Sequence, residues 1–201
     1  MNQKYEITDI AHEQYPWLHR VRAKMDISDY IEEGDLGGFV ESESNLSIEQ
    51  DDPAWLFDNS ISCGEACVCE GAILRDNAVA TDKAYVTHFA DLSGDSRAED
   101  NAFVRGAMLS QKARVSGSGM MIVSPDTGYC PEATGRAAIY GKVIGSFFLA
   151  GESVVFPGEE FHNDCEDKLW LVDNKRTAQR DTCREELKPK REQKRSRQQS
   201  R

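Results

Sequence analysis

Between Asp52 and Arg105 small and apolar residues recur every six positions, a spacing that no helical period reproduces. The blocks read DPAWLF, DNSISC, GEACVC, EGAILR, DNAVAT, DKAYVT, HFADLS, GDSRAE and DNAFVR. Their third residue is always Ala or Ser: Ala54, Ser60, Ala66, Ala72, Ala78, Ala84, Ala90, Ser96 and Ala102. The fifth is mostly aliphatic, as at Leu56, Val68, Leu74, Val86, Leu92 and Val104. Two inward residues separated by one outward residue make a short strand, and the remaining residues make a corner. A hexad of this kind, repeated, predicts a solenoid in which each coil buries its inner face against its neighbours.

The pattern continues with interruptions. Gly106–Ser110 is one residue short, and QKARVS and GSGMMI restore the phase. Val123–Glu132 (VSPDTGYCPE), with two prolines and a glycine, reads as an inserted loop. The hexads ATGRAA, IYGKVI, GSFFLA and GESVVF follow and end at Phe156. Fifteen regular hexads are readable; at three per triangular coil they predict about five coils. Phe147 stands where the other hexads carry a small residue, which predicts that the interior widens or ends there.

The sequence thus predicts an all-β chain. Residues 1–51 form an N-terminal strand cap and residues 52–156 the hexapeptide-repeat β-solenoid, with an insertion at 123–132. Residues 157–187 form a C-terminal cap whose polar part has helix-compatible composition. Residues 188–201 (KPKREQKRSRQQSR) have almost no apolar content and read as a disordered basic tail. Gly-rich GDLGG lacks the Gly-Lys-Ser/Thr of a phosphate loop and reads as a tight turn.

The hexads resemble the bacterial transferase hexapeptide repeat, and that resemblance implies a single-stranded left-handed parallel β-helix. A closer similarity is to a YdcK-like group of phage and bacterial proteins, whose members are often labelled transferases. It rests on Gly34-Asp35-Leu36-Gly37-Gly38-Phe39-Val40-Glu41, then Asn45-Leu46-Ser47, leading into D-N-A-x-V hexads, and it covers roughly residues 4–156. Trimers are common among hexapeptide-repeat proteins, so the resemblance also implies a homo-oligomer, a trimer or a dimer.

Charge changes the picture more than composition does. The 201 residues carry a net −11, but Lys188–Arg201 alone holds seven basic residues and one acidic, which leaves the rest at −17. Asp26–Asp100 is the extreme, with 19 acidic and 3 basic residues. Such a field repels nucleic acid and membrane surfaces and favours a protein partner with a basic surface. Nucleic acid is left only to the basic tail. There is no apolar run long enough to span a membrane and no apolar N-terminal leader. Six cysteines in a chain of this length do not read as a disulfide framework, so the expected compartment is the cytoplasm, the host's if a phage encodes the protein.

Candidate chemistry is sparse. His88, in the corner block HFADLS, is the single repeat histidine and the candidate base if the chain is an acyltransferase-like enzyme using acyl-CoA. The γ-class carbonic anhydrases, which share the hexapeptide fold, need three histidines on one zinc, and one cannot supply them. Cys63, Cys67 and Cys69 occupy outward or corner phases expected to point to different faces, so no metal site is assigned. No cofactor is expected outside the acyl-CoA alternative.

The outer positions say more. Residues eighteen apart share a ladder, so the corner ladders are Asp52-Glu70-His88, Asp58-Asp76-Gly94 and Gly64-Asp82-Asp100. The acidic members read either as turn-favouring residues or as a regular negative rod capable of nucleic-acid mimicry. Outward position four is mostly apolar, with Trp55, Tyr85 and Phe103 the aromatic members, and an apolar stripe of that extent predicts a covered or interacting face. Asp52, Asp58, Glu70, Asp76, Asp82, Asp100, Trp55, Tyr85 and Phe103 are therefore the candidate partner-binding residues. The reading is a non-enzymatic binding or scaffold solenoid, with a phage-encoded inhibitor of a host or defence protein as its sharpest form.

Overall fold

Each hexad of the central segment places a strand of two or three residues from its fourth position on, as at Ile73–Leu74, Val79–Ala80 and Tyr85–Thr87. These strands pair in parallel with the strand one coil away, and their repetition winds the chain into a parallel β-solenoid of three sheets. The computed structural model describes residues 2–178. On the first face Phe39, Ile61, Val79, Arg97 and Arg114 stack outward in register. Cys67, Tyr85, Phe103 and Met120 do so on the second face. Trp55, Ile73, Asp91 and Met108 do so on the third.

The interior is a set of ladders of like residues. Leu56, Leu74, Leu92 and Leu109 stack down one face, and Val68, Val86 and Val104 down another, all with no exposed surface. The alanines at position three are buried beside them. Small residues are needed there because three sheets converge on a narrow axis.

About seven turns are present, not five. The extra turns come from the segments read as caps. The first is made by Leu36–Val40, by Leu46 bridging to Val68, and by Trp55–Leu56. The last is made by Val154–Val155, Glu160–Asn163 and Leu169–Val172. In the first turn buried Asn45 donates to the carbonyls of Gly64 and Ala66 (3.0 and 2.9 Å) and accepts from Glu41 and Ser42, which ties that turn to the next. Gly37 and Gly38 lie within a strand, while the turn sits at Glu33 and Gly34. A Cβ on Gly38 would stand 2.4 Å from the Ser60 carbonyl, so the close approach, not a turn, requires glycine.

The shortened repeat is real: Arg97 pairs with Arg114 and Phe103 with Met120, one residue less than eighteen. The phase after the insertion is corrected. Glu132–Ala133 is a strand between Met108–Leu109 and Phe148–Leu149, so the loop ends at Pro131 and the next hexad starts at Gly135, whose φ is +71°. Phe147 points into the interior and packs on Phe161, with ring centroids 6.1 Å apart.

The ends are closed differently. At the start, strands β1 (Tyr5–Ala11), β2 (His19–Ala23) and β3 (Leu36–Val40) form an antiparallel extension of the first sheet. Lys4 and Tyr5 cover the open coil: Lys4 Nζ donates to the carbonyls of Ser47 and Ala54, and the Tyr5 hydroxyl to that of Leu46. Burial lowers the Lys4 pKa to about 8, against the pull of Asp52. At the far end, the expected helical content of 157–187 is corrected as far as residue 178: a hairpin of Leu169–Val172 and Lys175–Ala178 extends the third sheet. Its turn residues Asp173 and Asn174 accept the amides of Glu152 and Val154, both at 2.9 Å. Residues 179–187 and the basic tail 188–201 lie outside the described residues.

Candidate functional site

The acidic corners have a structural task. Asp58, Glu70, Asp76, Asp82 and Asp100 have φ between +51° and +61°, the left-handed region in which Asp and Asn are enriched over bulkier residues. Their carboxylates also accept backbone N–H groups from the next coil. Asp58 takes the amide of Asp76 (3.1 Å), Asp76 that of Gly94 (2.8 Å), Asp82 that of Asp100 (3.3 Å) and Asp100 that of Gly117 (2.8 Å). The stacked carboxylates are thus partly compensated by amides. Asp52 is the best served. Burial opposes its charge, but the Ser47 side chain and the amides of Ala54, Gly71 and Glu70 hold its carboxyl below the ordinary carboxylate range.

Corner geometry does not by itself demand acid. In the later coils the same left-handed position is filled by Gln111, Gly117, Gly135 and Gly151. Residues 26–100 carry a net −16, whereas residues 101–178 hold 8 basic and 9 acidic side chains. The charge is concentrated in the first half of the rod.

The aromatic candidates separate. Trp55 is corrected: it is 1% exposed, packed against Tyr5 at 6.3 Å between centroids and against the backbone of Gly37. The N-terminal cap lies over it and removes it from any partner-facing surface. Ile61 is covered likewise, by Leu18 and Phe39. Tyr85 and Phe103 remain outside, their rings 6.0 Å apart and within 3° of parallel. Beside the covered part of the first face runs an open groove of about 730 Å³, with Tyr15, Trp17, Phe39 and Val79 among its lining.

The structure brings three predicted residues together at the corner between the second and third faces. His88 Nδ1 lies 3.8 Å from Glu70 Oε2. Glu70 also accepts the Thr87 hydroxyl at 2.8 Å. Cys69 Sγ lies 3.5 Å from Thr87 Oγ1 and 3.2 Å from the Tyr85 hydroxyl. Cys67 and Cys69, expected on different faces, flank Val68 and lie on the same outward side of one strand. Asp58 and Asp76 share a second corner ladder, and Asp82 and Asp100 a third. The cysteine cluster was findable: adding eighteen to Cys67 and Cys69 gives Tyr85 and Thr87.

The insertion folds on itself around Ser124, whose hydroxyl accepts the amides of Asp126 and Thr127 and donates to Asp164. Among the described residues no cluster of three or more His, Cys, Asp or Glu could hold a metal ion, and no helix is long and apolar enough to cross a membrane. No family model matches the chain, and no curated protein matches it.

Proposed function

We propose that this protein is a non-enzymatic binding scaffold. It presents the acidic corners of its first coils, Asp52, Asp58, Glu70, Asp76, Asp82 and Asp100, together with the Tyr85–Phe103 pair, to a protein partner with a basic surface. The observation that carries the reading is the contrast between the two halves of the rod. Equivalent left-handed corners are filled mostly by glycine or glutamine where the charge is near neutral, and mostly by carboxylates, with Gly64, His88 and Gly94 between them, where it is −16. Turn geometry accounts for the first choice and leaves the second to be explained.

The charge density supports nucleic-acid mimicry as the form of binding. Four coils rise about 19 Å at ~4.8 Å per rung. Residues 36–100, which form these coils, carry a net −11, so the charge along that rise is roughly one per 1.7 Å, beside ~1.7 Å for duplex DNA. A phage-encoded inhibitor of a host or defence protein fits such a surface. The partly exposed Tyr85–Phe103 stripe supports self-association into a trimer or dimer, and the five free thiols among the described residues support a reducing, cytoplasmic compartment.

Pull-down with the full chain tests the proposal. A basic-surfaced partner should be retained, and Asp58→Asn, Asp76→Asn and Asp82→Asn combined should weaken its retention while the melting transition persists. Retention that is indifferent to those charges sinks it. The alternative, acyl transfer from acyl-CoA with His88 as base, is favoured by the Glu70–His88 pair. Turnover that vanishes in His88→Ala would establish it instead.

A further inference from the structure

We propose that Cys69 is a reactive nucleophilic thiol, a modification site for small uncharged electrophiles and peroxides in particular. The geometry concentrates hydrogen-bonding groups on one sulfur. The Tyr85 hydroxyl, 3.2 Å away on the strand one coil on, donates to it once it is ionised. Cys67, two residues upstream, lies on the same side of the strand. Thr87 Oγ1, at 3.5 Å, accepts the thiol proton and is itself bonded to Glu70 at 2.8 Å, so a thiol–hydroxyl–carboxylate relay leads to the corner. Donors to a charged form lower its pKa. Here the Cys67 thiol is the chief cause, with the Tyr85 hydroxyl also favouring the charged form against the opposition of burial and Glu70, and the Cys69 pKa falls to about 6. The other charged or titratable neighbours are Lys4 and Asp52, which face the pair from the coil before, and His88 beyond Glu70. Cys69 is half-buried, so a small reagent reaches it. The acidic surroundings disfavour anionic reagents, which is why the site suits uncharged ones.

With a peroxide the step balances without another reactant. The Cys69 thiolate attacks one peroxide oxygen, the O–O bond breaks, and the leaving oxygen takes up the proton that the thiol gave away. Sulfur is oxidised by two electrons to sulfenic acid, and the peroxide is reduced to water or an alcohol. Two residues on one strand lie ~6.7 Å apart, at the upper limit for a disulfide, so Cys67 resolves the sulfenic acid poorly and it should persist.

Iodoacetamide labelling of the full chain between pH 5.5 and 9, read by mass spectrometry, tests this. The thiolate fraction and the lower nucleophilicity of an acidic thiol oppose each other. Together they predict that Cys69 reacts about tenfold faster than exposed Cys165 at pH 6, and only about two- to threefold faster at pH 7. Its rate should level off above pH 7 while that of Cys165 keeps rising. Tyr85→Phe and Cys67→Ala, with melting as the check on folding, should each move the Cys69 profile to higher pH. After peroxide treatment a sulfenic-acid-trapping dione should label Cys69 first. A Cys69 profile that coincides with that of Cys165, or dione label spread evenly over the cysteines, overturns the proposal.

Discussion

A substitution series at Asp76 separates what the corner carboxylates do for the fold from what they do for a partner. Asp76 has φ +57° and accepts the Gly94 amide at 2.8 Å, while its own amide is bonded by Asp58 at 3.1 Å. Asparagine keeps an acceptor oxygen and tolerates the left-handed backbone. It gives up the extra strength of a charged acceptor, about 1 kcal/mol. In return it removes repulsion from Asp58 one rung away, about 0.8 kcal/mol at ~5 Å in water and less in salt. The two nearly cancel, so Asp76→Asn should change stability by no more than about 0.5 kcal/mol. Glycine removes the acceptor and adds unfolded-chain entropy, for a loss of about 1 to 2 kcal/mol. Alanine loses the same acceptor and bears the left-handed cost of about 1–2 kcal/mol, about 2 to 3 in all. Urea unfolding followed by tryptophan fluorescence gives the order, with buried Trp55 as a reporter. Asn equal to Asp, then Gly, then Ala, is expected. An Asn variant as weak as Ala would mean that the charge itself holds the corner, and the separation of fold from function would fail. With the order established, the stable Asn variants of Asp58, Asp76 and Asp82 become clean probes of binding.

Leu92→Ala, in the middle of a fully buried leucine ladder, should cost about 2–5 kcal/mol in the same unfolding assay. Gly38→Ala should be at least as damaging, since its new Cβ meets the backbone of Ser60 rather than a movable side chain; an unchanged urea midpoint would refute the close-approach argument. Lys4, with its pKa lowered to about 8 in the folded state, is charged in both states below that value, where its burial opposes folding. Between about pH 8 and 10.5 the unfolded chain binds the extra proton, so stability should rise with pH by up to about 3 kcal/mol, and Lys4→Met should abolish that rise.

The repeat was legible because two demands coincide in each hexad. Position three must be small where the sheets converge, and position five must fill the axis, so Ala72–Leu74 or Ala102–Val104 announce the phase unaided. Phase was lost where a corner changes length. Ile139 and Val143 are both inward but only four residues apart, and a six-residue frame laid across them slips, as ATGRAA did. Turns with long corners, such as Leu46 to Trp55, carry no hexads and so looked like caps. Trp55 was misplaced for another reason: its outward phase was read correctly, but only the folded N-terminus, anchored through Lys4 and Tyr5, reveals what lies over it. The cysteine cluster was hidden because the eighteen-residue step was applied to positions one and four but not to position six, where it sets Cys69 beside Thr87 of the next coil.

The unequal spacings between stacked residues have a practical meaning. Arg97 and Arg114 are seventeen apart, Arg114 and Ala138 twenty-four, Ala138 and Val154 sixteen, yet all lie on one continuous sheet. Each strand is matched to its neighbour by the rung alone, and the chain between is free to vary. The rod therefore behaves as a rack whose slots are fixed and whose fittings are interchangeable. A segment exchanged at one bend, as the loop 123–131 already demonstrates, alters the exterior at one height and leaves every other level as it was.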